Sequence, residues 1–141
     1  MKMHTTNYRN TFIEVAEDCP VKKGEIPPLK KNGKTIANIQ YEIIEGNPYK
    51  YTSDEILFKC YIIKNKLDKN IKITKEDFFS KGQPCFRASP LTKQYGWGIH
   101  NNNDSKMALY GCETTEYKNL KNDKNTKTIK ALKNKNKPNA T

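Results

Sequence analysis

A chain of 141 residues, 35% of them hydrophobic, is long enough for one domain with its own core. Aromatic residues make up 10% of it, which argues against wholesale disorder, and no run of 18 apolar residues could form a membrane-spanning helix. The formal net charge of +11 raises the hypothesis of a nucleic-acid partner.

The make-up of that charge weakens the nucleic-acid hypothesis. The basic residues are 24 Lys and only 2 Arg, and Arg is the residue whose planar fork reads guanine and clamps phosphate. Sixteen Asn accompany the Lys, a joint excess typical of an AT-rich genome. Lysines recur at every third position from 118 to 133, but on a helix this step spreads them around the cylinder. We expect at most weak, sequence-nonspecific and salt-sensitive nucleic-acid binding.

The cysteines and the N-terminus favour a reducing compartment. No two of Cys19, Cys60, Cys85 and Cys112 form a C-x-x-C pair, so zinc-ribbon and thioredoxin motifs are absent. The first 17 residues lack an apolar run and a small-residue cleavage site. We therefore expect a cytoplasmic protein with free thiols, with no metal, no cofactor and no membrane partner.

The first predicted elements are a strand and a helix. Alternating apolar residues predict a strand over residues 11–17, and Pro20 follows it. Residues 21–34 form a predicted loop with two consecutive prolines. Thr35 can cap a helix whose isoleucines recur at helical spacing until Gly46 ends it.

The middle of the chain is predicted to hold a central strand and a short helix. Residues 55–64 carry apolar side chains on both alternating faces, as in a strand covered on both sides. Residues 71–74 predict a short strand or the entry to the next helix. Thr74 and Asp77 resemble a capping box for a helix through Phe79, closed by Gly82.

The last part of the chain alternates turns with short elements. Ser89 and Pro90 predict the N-cap and first residue of a one-turn helix through Tyr95, stopped by Gly96. Four further elements are predicted: a strand over 97–100, its hairpin partner over 106–112, a helix over 113–122 and a second helix over 125–134 with Ile129 and Leu132 inward.

These elements predict an α+β fold. We expect one domain over residues 1–134, with two layers: a mostly antiparallel sheet of four or five strands and helices packed on it. Residues 135–141 form a polar tail that we expect to be frayed.

Residues 81–100 concentrate residue types that are scarce elsewhere, including the only Trp, one of two Arg and one of two His. We predict a small-anion site here, because a helix N-terminus and cations attract anions. Its predicted ligand-binding residues are Arg87, Ser89, Lys93, Trp97 and His100. The alternative is that Arg87 pairs with an acidic residue and that Trp97 fills the edge of the core.

Cys85 and His100 are the candidate catalytic residues, since a thiolate nucleophile needs a neighbouring base. The alternative is a half-buried thiol and a histidine packed against Tyr110. No Walker A, H-E-x-x-H or G-x-S-x-G motif occurs. The leading hypothesis is therefore a non-catalytic binding module that uses residues 83–100 for a small anionic ligand or a protein partner. A Cys/His-dependent enzyme and a nucleic-acid binder are the alternatives.

Three stretches carry a family resemblance: residues 4–20, which contain His-Thr-Thr-Asn-Tyr; residues 47–54, Asn-Pro-Tyr-Lys-Tyr-Thr-Ser-Asp; and residues 82–100, which open with Gly-Gln-Pro-Cys-Phe-Arg-Ala-Ser-Pro. They resemble a bacterial family of uncharacterised proteins of about this length. The resemblance implies a single-domain bacterial protein and no particular activity. A Trp-bearing strand followed by two predicted helices is also similar to the YjbR-like proteins, which implies a CyaY-like α+β fold.

Overall fold

The computed structural model describes residues 5–31, 33–65, 74–80 and 82–134. It has the predicted α+β architecture. The elements in chain order are β1 (Thr11–Glu14), α1 (Ile36–Glu45), α2 (Ser53–Asn65), α3 (Lys75–Phe79), a 3-10 turn (Phe86–Ala88), α4 (Pro90–Lys93), β2 (Trp97–Asn101), β3 (Met107–Gly111), α5 (Thr115–Lys121) and β4 (Lys127–Lys130).

The four strands form one sheet in the order β3-β2-β1-β4. The β1–β2 and β2–β3 pairs are antiparallel, whereas β1 and β4 are parallel. The sheet is therefore mixed instead of mostly antiparallel. The parallel pair arises from a segment that the sequence analysis assigned to a helix.

That segment is β4, and the predicted helix over 125–134 is wrong. The β-branched residues Thr128 and Ile129 suit an extended strand, and Ile129 lies beside Ile13 of β1. Leu132, expected to point inward, follows the strand and is 45% exposed. The lysines from 118 to 133 thus belong to a helix, a turn, a strand and the residues after that strand.

The predicted strand over 55–64 is also wrong, because this segment is α2. A continuous apolar run fits a buried strand and a buried helix equally well by periodicity, and the helix here is 13 residues long. Ile56 and Cys60, four residues apart, are both buried on one face. Thr52 and Glu55 hold the start of α2, since each backbone N–H donates to the other's side chain, at 2.9 and 3.2 Å.

The predictions that rest on helix caps are confirmed. The Thr35 side chain accepts from the N–H of Asn38 at the start of α1, and Thr74 does the same with Asp77 at α3. Pro90 is the first residue of α4, although this helix ends at Lys93 and α3 ends before Ser80. The hairpin and the helix after it also form, with ends shifted by one or two residues. Residues 71–73 and 135–141 lie outside the described residues.

The two faces of the sheet are covered differently. Ile13, Ile99 and Leu109 point into the main core with side chains of α1, α2 and α4. The neighbouring residue Phe12 points to the opposite face, where its ring meets Tyr117 of α5 edge-on at 4.9 Å between centroids. A side chain on β2 therefore faces either the main helical layer or the α5 side.

Candidate functional site

The rare residues of segment 82–100 do not share one site, although Cys85 and Arg87 both act on the hydroxyl of Tyr8. Arg87 Nε donates to the carbonyl of Lys130, while the Cys85 thiol lies 3.2 Å from the Tyr8 hydroxyl. The backbone carbonyl of Lys93 accepts a hydrogen bond from the side-chain amide of Asn134 at 2.8 Å. The geometry does not bring the guanidinium, thiol, indole and imidazole together in one cleft.

Trp97 packs at the edge of the core. Its ring lies against Tyr41 of α1, with 5.5 Å between centroids, and its indole N–H donates to the carbonyl of Glu25 at 2.8 Å. A Cβ on Gly24 would lie only 2.9 Å from the indole, so the loop backbone passes directly over the ring. The indole thus ties the loop of residues 21–26 to β2.

One cavity does open beside this segment. It has a volume of about 280 Å³ and lies between α1, α2, α3 and residues 83–90; we call it the helical cavity. Its lining residues are Ile36, Gln40, Leu57, Cys60, Tyr61, Lys64, Phe78, Gln83, Pro84, Cys85, Ala88, Ser89 and Pro90. Of the predicted site residues, Cys85 and Ser89 line it, whereas Arg87, Lys93, Trp97 and His100 do not.

Gln40 is a buried polar residue of the helical cavity that sequence reasoning missed. The residue is 3% exposed, and its Oε1 accepts from the Ser89 hydroxyl at 2.6 Å. Ser89 Oγ in turn accepts from the N–H of Leu91, as the cap of α4. Within the described part of the chain, the Gln40 Nε2 amide has no hydrogen-bond partner. This atom is not among the fully buried side-chain atoms that lack a partner, so the amide is a donor at the cavity lining and not an orphaned buried group.

Of the two cysteines that line the helical cavity, Cys60 is buried and held as a protonated thiol. Burial raises the pKa of Cys60 to about 12. Cys85 is hydrogen-bonded to Tyr8, and burial together with this bond raises the pKa of Tyr8 to about 12. Because Ile99 points into the main core, strand alternation places His100 on the other face of the sheet. Cys85 and His100 are therefore not arranged as a nucleophile and its base.

His100 instead belongs to a short polar chain on the α5 side. Its Nδ1 lies 2.8 Å from the hydroxyl of Tyr49, which lies 2.8 Å from the hydroxyl of Tyr110. Burial lowers the pKa of His100, and the charge of Asp123 opposes this shift. The neutral ring is favoured, and its Nδ1 can accept the Tyr49 proton.

We expect His100 to make folding pH-dependent. Because its pKa is lower in the folded protein, the unfolded chain binds the proton first, at about pH 6.5. Stability is fully present above that pH and falls as the pH drops from there toward the lower folded value. Chemical unfolding at pH 5.5 and 7.5 checks this prediction. The free energy of unfolding should differ less between the two pH values in His100→Gln than in the wild type. An identical difference in wild type and variant would contradict it.

The structure is a single-domain α+β protein with a cavity between its helices. The model of a family of unknown function, DUF6157, matches residues 3–137, and the chain belongs to this family. This confirms the resemblance to an uncharacterised single-domain family, whereas the similarity to YjbR-like proteins is not confirmed. No curated protein and no solved structure matches the chain.

Two features are absent from the described residues. No described helix combines the length and the apolarity that a bilayer crossing demands. No group of three or more His, Cys, Asp or Glu is placed to hold a metal ion in the same ranges.

Proposed function

We propose that this protein is a bacterial, cytoplasmic, non-catalytic binding module that holds a small anionic ligand with an apolar body in the helical cavity. The observation that carries the proposal is the side-chain amide of Gln40, which lines the helical cavity and whose Nε2 has no hydrogen-bond partner among the described residues. A ligand oxygen that accepts from this amide would satisfy it.

The charge around the helical cavity supports an anionic group on the ligand. Lys64 stands at the lining, with its ammonium 3.2 Å from the carbonyl of Lys34. No carboxylate is found among the described residues that line the cavity. An anion would therefore meet an amide N–H and a cation without facing a like charge.

The rest of the lining supports an apolar body. Leu57, Phe78, Pro84 and Ala88 contribute hydrocarbon surface, and a volume of about 280 Å³ suits a ligand smaller than a typical drug. Such a site takes its affinity from apolar burial and its orientation from a few polar groups. Residues 83–90, at the start of the predicted recognition segment, form one of its walls.

The proposal is tested with hexanoate as the probe and hexanol as its uncharged counterpart. We expect hexanoate to raise the melting temperature and to give a binding isotherm by calorimetry, with hexanol weaker by about tenfold or more. Gln40→Met keeps the side-chain volume but removes the amide. It should weaken the binding of hexanoate by a similar factor.

Two further variants separate binding from folding. Ala88→Leu fills the helical cavity without touching the Gln40 amide and should abolish binding. Gln94→Met makes the same change as Gln40→Met at an exposed position and should bind like the wild type. Hexanoate binding that survives Ala88→Leu unchanged would overturn the proposal.

The enzyme alternative has less support from the geometry. A cysteine nucleophile needs a base within hydrogen-bond reach, and the partner of the Cys85 thiol is the Tyr8 hydroxyl, whose pKa is raised. A tyrosine side chain can take the proton of a thiol only as the phenolate. Burial opposes the formation of that phenolate at neutral pH. Alkylation of Cys85 no faster than that of free cysteine is the expected result.

A further inference from the structure

A second cavity lies beside the 3-10 turn, and Arg87 is one of its lining residues. It has a volume of about 270 Å³ and is lined by Glu17, Arg87, Lys130, Ala131, Leu132 and Lys133; we call it the Arg87 groove. Three of these side chains are cations and one is a carboxylate, so the local net charge is +2. The helical cavity does not share a lining residue with it.

Arg87 is fixed in this groove at both its side chain and its backbone. Nε donates to the carbonyl of Lys130 at 2.7 Å, and the N–H of Leu132 donates to the carbonyl of Arg87 at 2.9 Å. A guanidinium carries five N–H donors, and this bond uses one of them. This bond restrains the side chain of a residue that lines the groove and leaves its other N–H groups for an anion, which reduces the entropy lost on binding.

Glu17 occupies the anionic position of the Arg87 groove. Its carboxylate lies 3.3 Å from Lys133 and 3.7 Å from Lys130, and these two cations lower the pKa of Glu17. The side chain is 52% exposed, and exposed ion pairs contribute little stability. A stronger anion can therefore displace the carboxylate at small cost.

We propose that the Arg87 groove binds the dianion of a small phosphate monoester. The net charge of +2 complements a dianion, and the guanidinium fork matches the geometry of phosphate oxygens. The volume of the groove exceeds that of a bare phosphate ion, leaving room for a short organic group beside Leu132. This inference is independent of the function proposed for the helical cavity.

Phenyl phosphate, titrated by calorimetry at pH 8 and constant ionic strength, tests the proposal. We expect Arg87→Lys, which keeps the charge and loses the fork, to weaken binding by about tenfold. Lys133→Gln should weaken it by about threefold or more. Glu17→Gln removes the competing carboxylate and should tighten binding by about threefold.

The opposite signs of the two surface variants make the test decisive, because a general loss of folding would weaken binding in both. Lys34→Gln removes an exposed lysine that pairs with Glu42 elsewhere and should leave binding unchanged. Inorganic phosphate alone should bind more weakly than the monoester. Equal binding of wild type, Glu17→Gln and Lys133→Gln would overturn the proposal. So would tight binding of a single-stranded oligonucleotide together with no binding of phenyl phosphate.

Discussion

Replacing Gly96 with alanine is expected to lower the free energy of unfolding by about 3 kcal/mol or more. Gly96 has φ of +79°, where a side chain is strained. A Cβ there would also collide with the backbone carbonyl of Lys23, and it would lie 3.0 Å from a methyl group of Val21. Because the N–H of Glu25 is bonded to the carbonyl of Tyr95 at 2.8 Å, the loop cannot move aside cheaply.

Gly33 provides the matched control for this prediction. Its φ is +108°, also in the left-handed region, but a Cβ there would meet no atom within 4 Å. Gly33→Ala should therefore cost only the conformational strain, about 1 kcal/mol. Urea denaturation of both variants measures the difference. Equal losses of stability would show that the crossing of residues 21–25 over Gly96 is loose in solution.

Leu91→Ala is the second large expected effect, a loss of about 2–5 kcal/mol. Leu91, on α4, is completely buried in the main core. Truncation removes its burial from water and leaves a cavity that the surrounding residues fill only in part. The same substitution at Leu29, which is 71% exposed, should change stability by no more than about 0.5 kcal/mol.

These two variants also test what segment 82–100 does. Phe86 and Leu91 are core side chains, and Gly96 leaves room for the loop of residues 21–26 to cross the backbone there. If Leu91→Ala were as mild as Leu29→Ala, this segment would be a surface addition instead of part of the core. The buried side chains of the segment anchor it in the core. Its polar residues therefore line two separate cavities, one on each side of that anchor.

Helix starts were predictable because they depend on neighbours in sequence. Thr35, Thr74 and Ser89 each accept from a backbone N–H two or three residues ahead, a geometry written into the local spacing. The β2–β3 hairpin was predictable for the same reason, since its strands are joined by a short turn.

The two wrong elements were those whose state depends on distant partners. The apolar run of α2 fits a helix or a buried strand, and its packing against α1 decides for the helix. Residues 127–130 became a strand because the edge of β1, more than 110 residues earlier in the chain, was free to pair.

The candidate sites show the same limit. Gln40 sits in an apolar helix pattern, and only its amide without a partner beside a cavity marks it. Arg87 was identified from its rarity, but the cations that accompany it are Lys130 and Lys133, more than 40 residues away. The predicted partners Lys93 and Trp97 do not line this groove, and the indole of Trp97 is engaged by the loop over β2.

The sequence by itself determined the α+β class, the capped helices and the hairpin. These features follow from interactions between residues a few positions apart, which the chain makes wherever it folds. Only the tertiary structure decided that α2 is a helix, that β4 closes the sheet, and which side chains share a cavity. Those outcomes depend on burial and on backbone pairing between distant segments, which no local pattern specifies.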